Sequence, residues 1–183
     1  FSFLMKMEHI SFVEAVEQLA DRIGYRINYQ RGGSTTPQQR GTRRRLLQAN
    51  AAAHKFYQEQ LETPEAQDAR DMLLQRGFDE ALIKEFTCGY APAGWDTVTR
   101  HLQKQGFTFE ELEAAGISKM GSRGTPIDRF HRRLIWPISI PSGEVVGFGA
   151  RKLYDDDKLG KYMNTPETML YKKSKVLFGL DKA

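Results

Sequence analysis

The residue types best suited to phosphate binding are concentrated in one basic stretch, residues 161–175, which we call the lysine corner. It holds four lysines and an asparagine around Pro166. The Asn-Thr-Pro sequence indicates a turn, because the residue before a proline is disfavoured in the helical region. Lys161 and Asn164 lie three residues apart across that turn, so we expect both to reach one side of it. Mobile ammonium groups on a stiff backbone suit phosphate oxygens, with a solvated basic loop as the alternative interpretation.

Arginines that precede the lysine corner extend its positive charge, and aromatic residues accompany them. Such cations offer an electropositive track for a nucleic-acid backbone. Trp95 and Tyr162 are candidates for stacking on the bases of a single strand, since every base has a face that can stack on a ring. A packed loop anchor is the alternative for Trp95. The arginines of this track are Arg129, Arg132, Arg133 and Arg151.

The charge is divided unevenly along the chain, although the net charge is only +4. Residues 46–128 carry eight Lys/Arg against thirteen Asp/Glu, whereas residues 129–175 carry ten against five. A basic segment beside an acidic one indicates an anionic partner for one face of the molecule.

The composition of the 183 residues excludes several classes of site. No apolar run is long enough to cross a membrane. The single cysteine, Cys88, excludes an internal disulfide and a cysteine zinc site, and the four histidines lack ligand spacing. Asp155, Asp156 and Asp157 are more typical of a solvated hairpin loop than of a metal site. We therefore expect no catalytic or metal-binding residue in this chain, and a cytoplasmic protein.

The periodicity changes near Gly116, from helical to alternating. Before it, apolar spacing after Arg43 predicts a long helix from that residue, and start signals predict helices opening at Thr63-Pro64, Asp79 and Asp96. A capping box at 108–111 predicts another. After it, residues 134–140 and 145–151 predict an antiparallel hairpin, with Pro137 at an edge or bulge. Gly147 and Gly149 allow close approach by another backbone or a ligand. The expected fold class is α+β, with a helical first two-thirds and then a small, mainly antiparallel sheet.

Four segments stand in order along the chain: DRFHRRLIWPI (128–138), GEVVGFGAR (143–151), KYMNTPET (161–168) and LFGL (177–180). Gly89-Tyr90-Ala91-Pro92 and Gly94-Trp95-Asp96 lie upstream of them. In this order and spacing the segments resemble bacterial DNA primase of the DnaG type, and their sequences are most similar to actinobacterial forms. The resemblance covers essentially the whole chain, and the combination is specific, whereas no single motif is.

The resemblance implies a division of the chain and a set of site residues. Residues 1–30 would be the tail of a zinc-binding domain, 31–42 an exposed linker, and 43–183 the N-terminal subdomain of the primase RNA polymerase domain. His131 stands where an arginine is common in the family. Arg76 lies in the last turn of a predicted helix, and a favourable interaction of its charge with the helix dipole is as good an interpretation as the DNA contact that the resemblance implies. The implied nucleotide-binding residues are Lys161, Asn164 and Lys173, and the implied DNA-binding residues are Arg76, Trp95, Arg129, Arg132, Arg133, Arg151 and Lys172.

The function implied by the resemblance is that of a nucleotidyltransferase that makes short RNA primers for DNA replication. This part would bind single-stranded DNA template and the initiating ribonucleoside triphosphate. Mg²⁺ or Mn²⁺ would be held by a following Toprim domain, Zn²⁺ by the start of the zinc domain, and the replicative helicase by a C-terminal domain; the protein would be a monomer. Two alternatives are a non-catalytic module that binds single-stranded nucleic acid and a domain whose basic face binds another protein.

Overall fold

The computed structural model describes residues 36–174, nearly all of which lie in a compact unit, Pro37–Ala183. The expected zinc-domain tail at 1–30 and the segment 177–180 lie outside the described residues.

Within residues 36–174 all the helices precede the main hairpin, and so do three short strands, which lie among or after them. None of the helices within residues 36–174 has the length and hydropathy needed to span a bilayer. The helices are α1 (Pro37–Leu61), a 3₁₀ turn (Pro64–Ala66), α2 (Gln67–Gln75), α3 (Glu80–Glu85), α4 (Thr97–Lys104) and α5 (Phe109–Ala114). The strands are β1 (Gly89–Ala91), β2 (Ser118–Met120), β3 (Pro126–Asp128), β4 (Arg133–Ser139), β5 (Val145–Lys152) and β6 (Tyr162–Asn164).

The strands form two antiparallel sheets. The main sheet has the order β1-β4-β5-β6, and β2 pairs with β3 separately. The α+β class with a small antiparallel sheet is therefore confirmed.

Helix α1 begins earlier than the sequence predicts. It starts at Pro37 and not at Arg43, so the second half of the expected 31–42 linker is helical. Proline favours the first turn of a helix, because its missing N–H has no partner there in any case. The first turns of α1 are exposed and carry no apolar period, so the hydrophobic pattern gives no sign that the helix begins before Arg43. The buried later turns, which include Leu46 and Phe56, stabilise the helix by packing.

The core is formed where α1 packs across β1 and β5. Tyr57 is fully buried, and its ring meets Phe148 edge to face with centroids 5.3 Å apart. Gly89 lies under this helix: a Cβ built there would be 2.7 Å from the Tyr57 Cβ. The absence of a side chain at Gly89 therefore sets how closely the helix approaches the sheet.

Helix α4 is capped from a distant part of the chain. The predicted cap residue, Asp96, makes no cap hydrogen bond, because its carboxylate instead accepts from Arg100 Nε at 2.7 Å. The carboxylate of buried Asp128 accepts from the backbone N–H groups of Val98 and Thr99 at 3.0 and 2.9 Å. By contrast, Asp79 caps α3 and the capping box of Thr108 opens α5, as predicted. Asp128 thus ties α4 to the segment that follows β3.

The predicted hairpin is confirmed as β4 and β5. Pro137 pairs with Phe148, beyond the part of β4 that β1 covers, and a bulge follows between Ile138 and Ser139. Close approach to Gly147 is also confirmed, because a Cβ there would lie 3.1 Å from side-chain atoms of Thr165. The Thr165 backbone N–H donates to the Phe148 carbonyl oxygen, and Thr165 Oγ1 accepts from the Phe148 backbone N–H. The sheet thereby fixes β6 and the first half of the lysine corner.

Candidate nucleic-acid and nucleotide interface

The connection between β3 and β4, residues 129–132, forms one wall of a cavity of 470 Å³ that we call the Trp95 cavity. Asp128 holds the start of this connection at α4, and β4 holds its end. Arg132 lies in the left-handed region with φ of 49°, which is costly for a residue with a side chain and bends the chain sharply. The lining residues are Ala93, Trp95, Arg129, His131, Arg132, Arg133, Asp156, Asp157, Lys158 and Leu159.

Two of the predicted DNA-contacting arginines are engaged with carboxylates. The Arg133 side chain is only 1% exposed, and its Nη2 lies 2.7 Å from Asp157 Oδ2. Arg132 Nη1 donates to Asp156 Oδ2 at 2.8 Å, and its guanidinium lies over the Tyr154 ring at 4.0 Å. The hydrogen bond between Arg132 and Asp156 raises the pKa of Arg132 and lowers the pKa of Asp156.

These pairs correct two expectations. Arg133 is a buried structural cation, so it is not free to meet a nucleic-acid backbone as the sequence predicts. Asp156 and Asp157 are partners of these arginines, and the aspartate run is not simply a solvated loop.

Arg129 and His131 bring nitrogens without partners to the same cavity. Neither Arg129 Nε nor His131 Nε2 has a hydrogen-bond partner among the described residues, and Arg129 has no carboxylate there within ion-pair distance. Burial lowers the pKa of Arg129, and the charge of Glu113 opposes that shift. Arg133 Nη1 is also without a hydrogen-bond partner. The cavity therefore presents guanidinium donors to a ligand that accepts hydrogen bonds.

Trp95 stands at the rim of this cavity with 70% of its surface exposed, so the packed-anchor alternative is wrong. One side of the indole meets the His131 ring, with centroids 4.8 Å apart. Trp95 also borders a second hollow of 440 Å³, which lies against the β2–β3 loop and is lined by Arg123 and Ile127. An exposed ring between two hollows is suited to stacking on a base.

A separate cavity of 340 Å³, which we call the Tyr162 cavity, lies over the face of β5 and β6. Arg76, at the end of α2, contributes to it, so two arginines assigned to DNA by the resemblance lie beside Asn164. Gly149 leaves room for the Asn164 side chain, whose Oδ1 would be 3.4 Å from a Cβ at that position. The lining residues are Arg76, Phe78, Trp136, Gly149, Ala150, Arg151, Tyr162, Met163 and Asn164.

Arg151 is a buried cation of the Tyr162 cavity that lacks a carboxylate partner within the described residues. It is 7% exposed, its Nε has no hydrogen-bond partner, and within residues 36–174 no carboxylate pairs with it. Its Nη1 contacts the Met72 sulfur at 2.9 Å, and its guanidinium lies 5.6 Å from the centroid of the exposed Tyr162 ring. A buried cation without a counter-charge is unfavourable unless an anion is supplied.

The lysine corner does not bring Lys161 and Asn164 to one side as the sequence predicts. Residues 162–164 form strand β6, and the Lys161 carbonyl continues the ladder by accepting from Lys152 N–H. Side chains three apart on an extended chain point to opposite faces, and of the two only Asn164 lines the Tyr162 cavity. Lys161 is exposed, with Nζ 6.0 Å from the Tyr162 ring centroid.

Lys172 and Lys173 are exposed on the turn after buried Tyr171. The Lys173 backbone N–H donates to Glu167 Oε1 at 3.0 Å, which fixes the turn. Burial raises the pKa of the Tyr171 hydroxyl, and a hydrogen bond with Asn164 opposes that shift. Both lysine side chains are therefore exposed on a turn whose backbone is held by a hydrogen bond.

The described residues do not fit a metal ion. Within residues 36–174 no group of three or more His, Cys, Asp and Glu side chains is arranged to hold one. The Asp155–Asp157 run fails for a physical reason, since two of its carboxylates are neutralised by Arg132 and Arg133.

Several residues of the two cavities were not found by sequence reasoning. Lys158 and Arg123 line hollows beside Trp95, and Phe78 lines the Tyr162 cavity. None carries a local signal, because each comes from a loop or a helix end that only the tertiary fold brings to the site. Asp128 lies within a motif that the sequence did single out, yet its role as a cap for α4 depends on a contact across thirty residues.

Comparison with known families and proteins gives consistent similarities. Residues 56–183 match the family model described as the DNA primase catalytic core, N-terminal domain. The chain is 61% identical over 186 residues to a DNA primase of Mycolicibacterium smegmatis, an alignment that covers 100% of this chain and 29% of that protein. The chain thus spans less than a third of the length of that relative.

Solved structures show the same similarity in three dimensions. The RNA polymerase domain of Mycobacterium tuberculosis primase DnaG, in complex with a double-stranded DNA oligomer with a 6-nucleotide overhang, matches with a TM-score of 0.73 and 61% identity over 75% of this chain and 43% of that one. A DnaG primase catalytic domain bound to single-stranded DNA matches with a TM-score of 0.72 and 36% identity, covering 78% of this chain and 45% of that one.

Proposed function

Since this chain belongs to the family of the DNA primase catalytic core, N-terminal domain, we propose that it binds single-stranded template DNA and a nucleotide during the synthesis of RNA primers. The two ligands occupy different cavities. Template lies at the Trp95 cavity, and the triphosphate of an initiating or incoming ribonucleotide lies at the Tyr162 cavity.

The observation that carries the template assignment is the exposed Trp95 beside the unpaired guanidinium of Arg129. A phosphodiester is fully ionised and only accepts hydrogen bonds, so it matches a cavity whose free guanidinium nitrogens are donors. A neighbouring base stacks on the exposed indole, which contributes about 1–3 kcal/mol per base in single-strand binding proteins. Arg132 and Lys158 add positive charge at the rim. Arg133 acts indirectly by holding Asp157.

Tryptophan fluorescence tests the template site, because the chain holds only two tryptophans, Trp95 and the less exposed Trp136. In a Trp136→Phe variant, a thymidine oligomer should quench the remaining emission. Trp95→Ala should weaken binding of the oligomer by roughly 5- to 150-fold, the equivalent of one stacked base, and Trp95→Phe should retain most of the affinity. Lys55→Ala, on the exposed face of α1, is the matched control. Equal affinity for Trp95→Ala and the parent would refute this site.

For the nucleotide, the carrying observation is the buried and unpaired Arg151 next to Asn164 and the exposed Tyr162 ring. Arg151 and Arg76 supply charge to phosphate oxygens, and the Asn164 amide is able to donate to a phosphate or a ribose hydroxyl. Tyr162 and Trp136 supply flat apolar surface for a base. Lys161, whose exposed Nζ lies 6.0 Å from the Tyr162 ring centroid, brings a mobile charge to the triphosphate from outside the cavity lining. Lys172 and Lys173 strengthen the positive field around the lysine corner. Arg76 and Arg151 are thereby reassigned from template to nucleotide.

The complete protein would carry the remaining parts of the reaction. The proposed division is the tail of a zinc-binding domain at residues 1–30, a linker that ends where α1 begins at Pro37, and the N-terminal subdomain of the polymerase domain up to residue 183. Mg²⁺ or Mn²⁺ on a Toprim domain would supply charge stabilisation in nucleotidyl transfer, and Zn²⁺ would be structural in the zinc domain. A replicative helicase, ribonucleoside triphosphates, a monomeric state and a cytoplasmic location belong to the same proposal.

The alternative function is a non-catalytic module that binds single-stranded nucleic acid. The Tyr162 cavity favours the primase function, because a pure strand-binding module needs no second site with a buried unpaired arginine. Equilibrium dialysis of the chain with labelled ribonucleoside triphosphate separates the two. Saturable binding that Arg151→Ala abolishes supports the primase function, and the absence of nucleotide binding supports the alternative.

A further inference from the structure

His131 is held in one tautomer by the backbone around it. Its Nδ1 lies 3.0 Å from the carbonyl oxygen of Gly94. A carbonyl only accepts hydrogen bonds, so Nδ1 carries the proton and donates. The other ring nitrogen, Nε2, is shielded from solvent and has no partner within the described residues. In the neutral ring Nε2 is thus an unshared lone pair at the Trp95 cavity.

The polar groups around this lone pair determine which ligand fits. The cations of the Trp95 cavity are Arg129, Arg132, Arg133 and Lys158, and the carboxylates are Asp156 and Asp157. Asp128, which caps α4, also interacts electrostatically with His131, and the adjoining Asp96 pairs with Arg100 at 2.7 Å.

All four carboxylates are engaged. Asp96, Asp156 and Asp157 pair with arginines, and Asp128 accepts from the start of α4. The nitrogens left over outside these pairs belong to Arg129 and His131.

A phosphodiester brought to these nitrogens accepts from the guanidinium of Arg129 but has no proton to give to His131 Nε2. A neutral His131 would set its lone pair against the lone pairs of the phosphate oxygens. A protonated ring carries donors at both nitrogens and contacts the phosphate as a cation. Because Nε2 is shielded from solvent, a phosphate reaches it only after a neighbouring side chain moves. The Trp95 ring lies 4.8 Å from the imidazole, centroid to centroid, and is 70% exposed, so it is able to move.

We propose that His131 binds a phosphate of the template through Nε2 as the imidazolium, so that binding of single-stranded DNA takes up a proton at this ring. The proposal rests on the template site assigned above and adds a contact and a consequence to it. Template affinity then rises as the pH falls through the range in which imidazoles change charge.

Calorimetric titration with a thymidine oligomer tests the linkage, because thymine bases do not titrate near neutral pH. Titrations at pH 7 in two buffers of different ionisation enthalpy give the number of protons taken up. Affinity at pH 6 should exceed that at pH 8 by roughly three- to tenfold, as expected for one partly linked proton. His131→Gln should bind at both pH values as the parent does at pH 8, with no proton uptake. His131→Arg should bind tightly at both.

His101→Gln is the matched control, since His101 is a histidine on α4 that bonds Gln105 and does not line the Trp95 cavity. It should keep the proton uptake of the parent, and circular dichroism should show all variants folded. Proton uptake that persists in His131→Gln and His131→Arg would overturn the His131 assignment and leave the template site intact. Binding of the oligomer by the parent chain without proton uptake would have the same meaning. Failure of the parent chain to bind the oligomer at either pH would overturn the template site itself.

Discussion

At the scale of single residues, the side chains that define the site are those without a partner. Arg151 and Arg129 lack carboxylate partners in the described part of the chain, whereas Arg132 and Arg133 each have one. Neighbouring positions in one motif therefore differ in role: the paired arginines shape the Trp95 cavity, and the unpaired ones are available to a ligand. Breaking a buried pair leaves an uncompensated charge, so Arg133→Ala would test folding and not DNA contact.

Lys161 is the residue-scale test of the lysine corner. In the complete protein, Lys161→Ala should mainly abolish initiation and leave affinity for single-stranded DNA nearly unchanged. The reason is that a mobile exposed ammonium beside Tyr162 is suited to a triphosphate. The measurements are dinucleotide synthesis and template affinity on the same samples. A loss of synthesis fully explained by a loss of DNA affinity would mean that Lys161 only adds to the general positive field.

Cys88 gives a prediction from its protonation state. The thiol is 3% exposed, and burial raises its pKa to about 11. Because the thiolate is the reactive form, the native chain should react very slowly with an aromatic disulfide reagent at pH 8 and rapidly in denaturant. Its rate should rise further as the pH approaches the raised pKa. Rapid stoichiometric labelling of the native chain at pH 8, followed by absorbance, would contradict the burial of Cys88.

At the scale of elements, the sites depend on close approaches that small residues permit. Gly89 lets α1 lie against β1, and Gly147 lets Thr165 bond β5, which positions β6 at the Tyr162 cavity. The sequence indicated the importance of Gly147 and Gly149, because two glycines on one strand face are unusual. The sequence carries no such signal for Gly89, because a side chain there would clash with Tyr57 of α1, about thirty residues earlier in the chain.

The same substitution at two glycines should have opposite effects on stability. Gly89→Ala places a Cβ 2.7 Å from Tyr57 Cβ and should lower the free energy of unfolding by about 1–3 kcal/mol, as overpacking does. Gly41→Ala lies on the exposed first turns of α1 with no atom within 4 Å, and should raise that free energy by roughly 0.5–1 kcal/mol. Urea unfolding of both variants measures the difference. A stable Gly89→Ala variant would mean that α1 packs less closely than described.

At the scale of the whole molecule, the sequence predicts the fold better than it predicts the grouping of the site. Cap signals and alternation are local, so the α5 capping box and the β4–β5 hairpin were found correctly. The sequence predicts a turn where the structure has the strand at 162–164, because three residues close to Pro166 carry little periodicity. Which arginine meets which cavity depends on contacts across the chain, such as that of Arg151 with Met72, and no local pattern encodes them.

Charge distribution predicts a salt-dependent association at this scale. The affinity for single-stranded DNA should fall linearly with salt on a double-logarithmic plot, because phosphate contacts release counterions. Arg129→Ala should lower the magnitude of that slope by about 0.7–1, the value for one lost phosphate contact. Lys55→Ala, a remote exposed cation on α1, should leave the slope unchanged. Fluorescence anisotropy across a salt series measures both, and a slope near zero for the parent chain would exclude an electrostatic track.

Paired measurements on Arg129→Ala and Arg151→Ala in the complete protein test whether template and nucleotide occupy separate cavities. For each variant, the dissociation constant for a single-stranded template and the KM for the initiating ribonucleotide are measured under one set of conditions. We expect Arg129→Ala to weaken template binding with little change in nucleotide KM. We expect Arg151→Ala to raise the nucleotide KM with little change in template affinity. Equal losses of both quantities in both variants would contradict the separation of the two cavities.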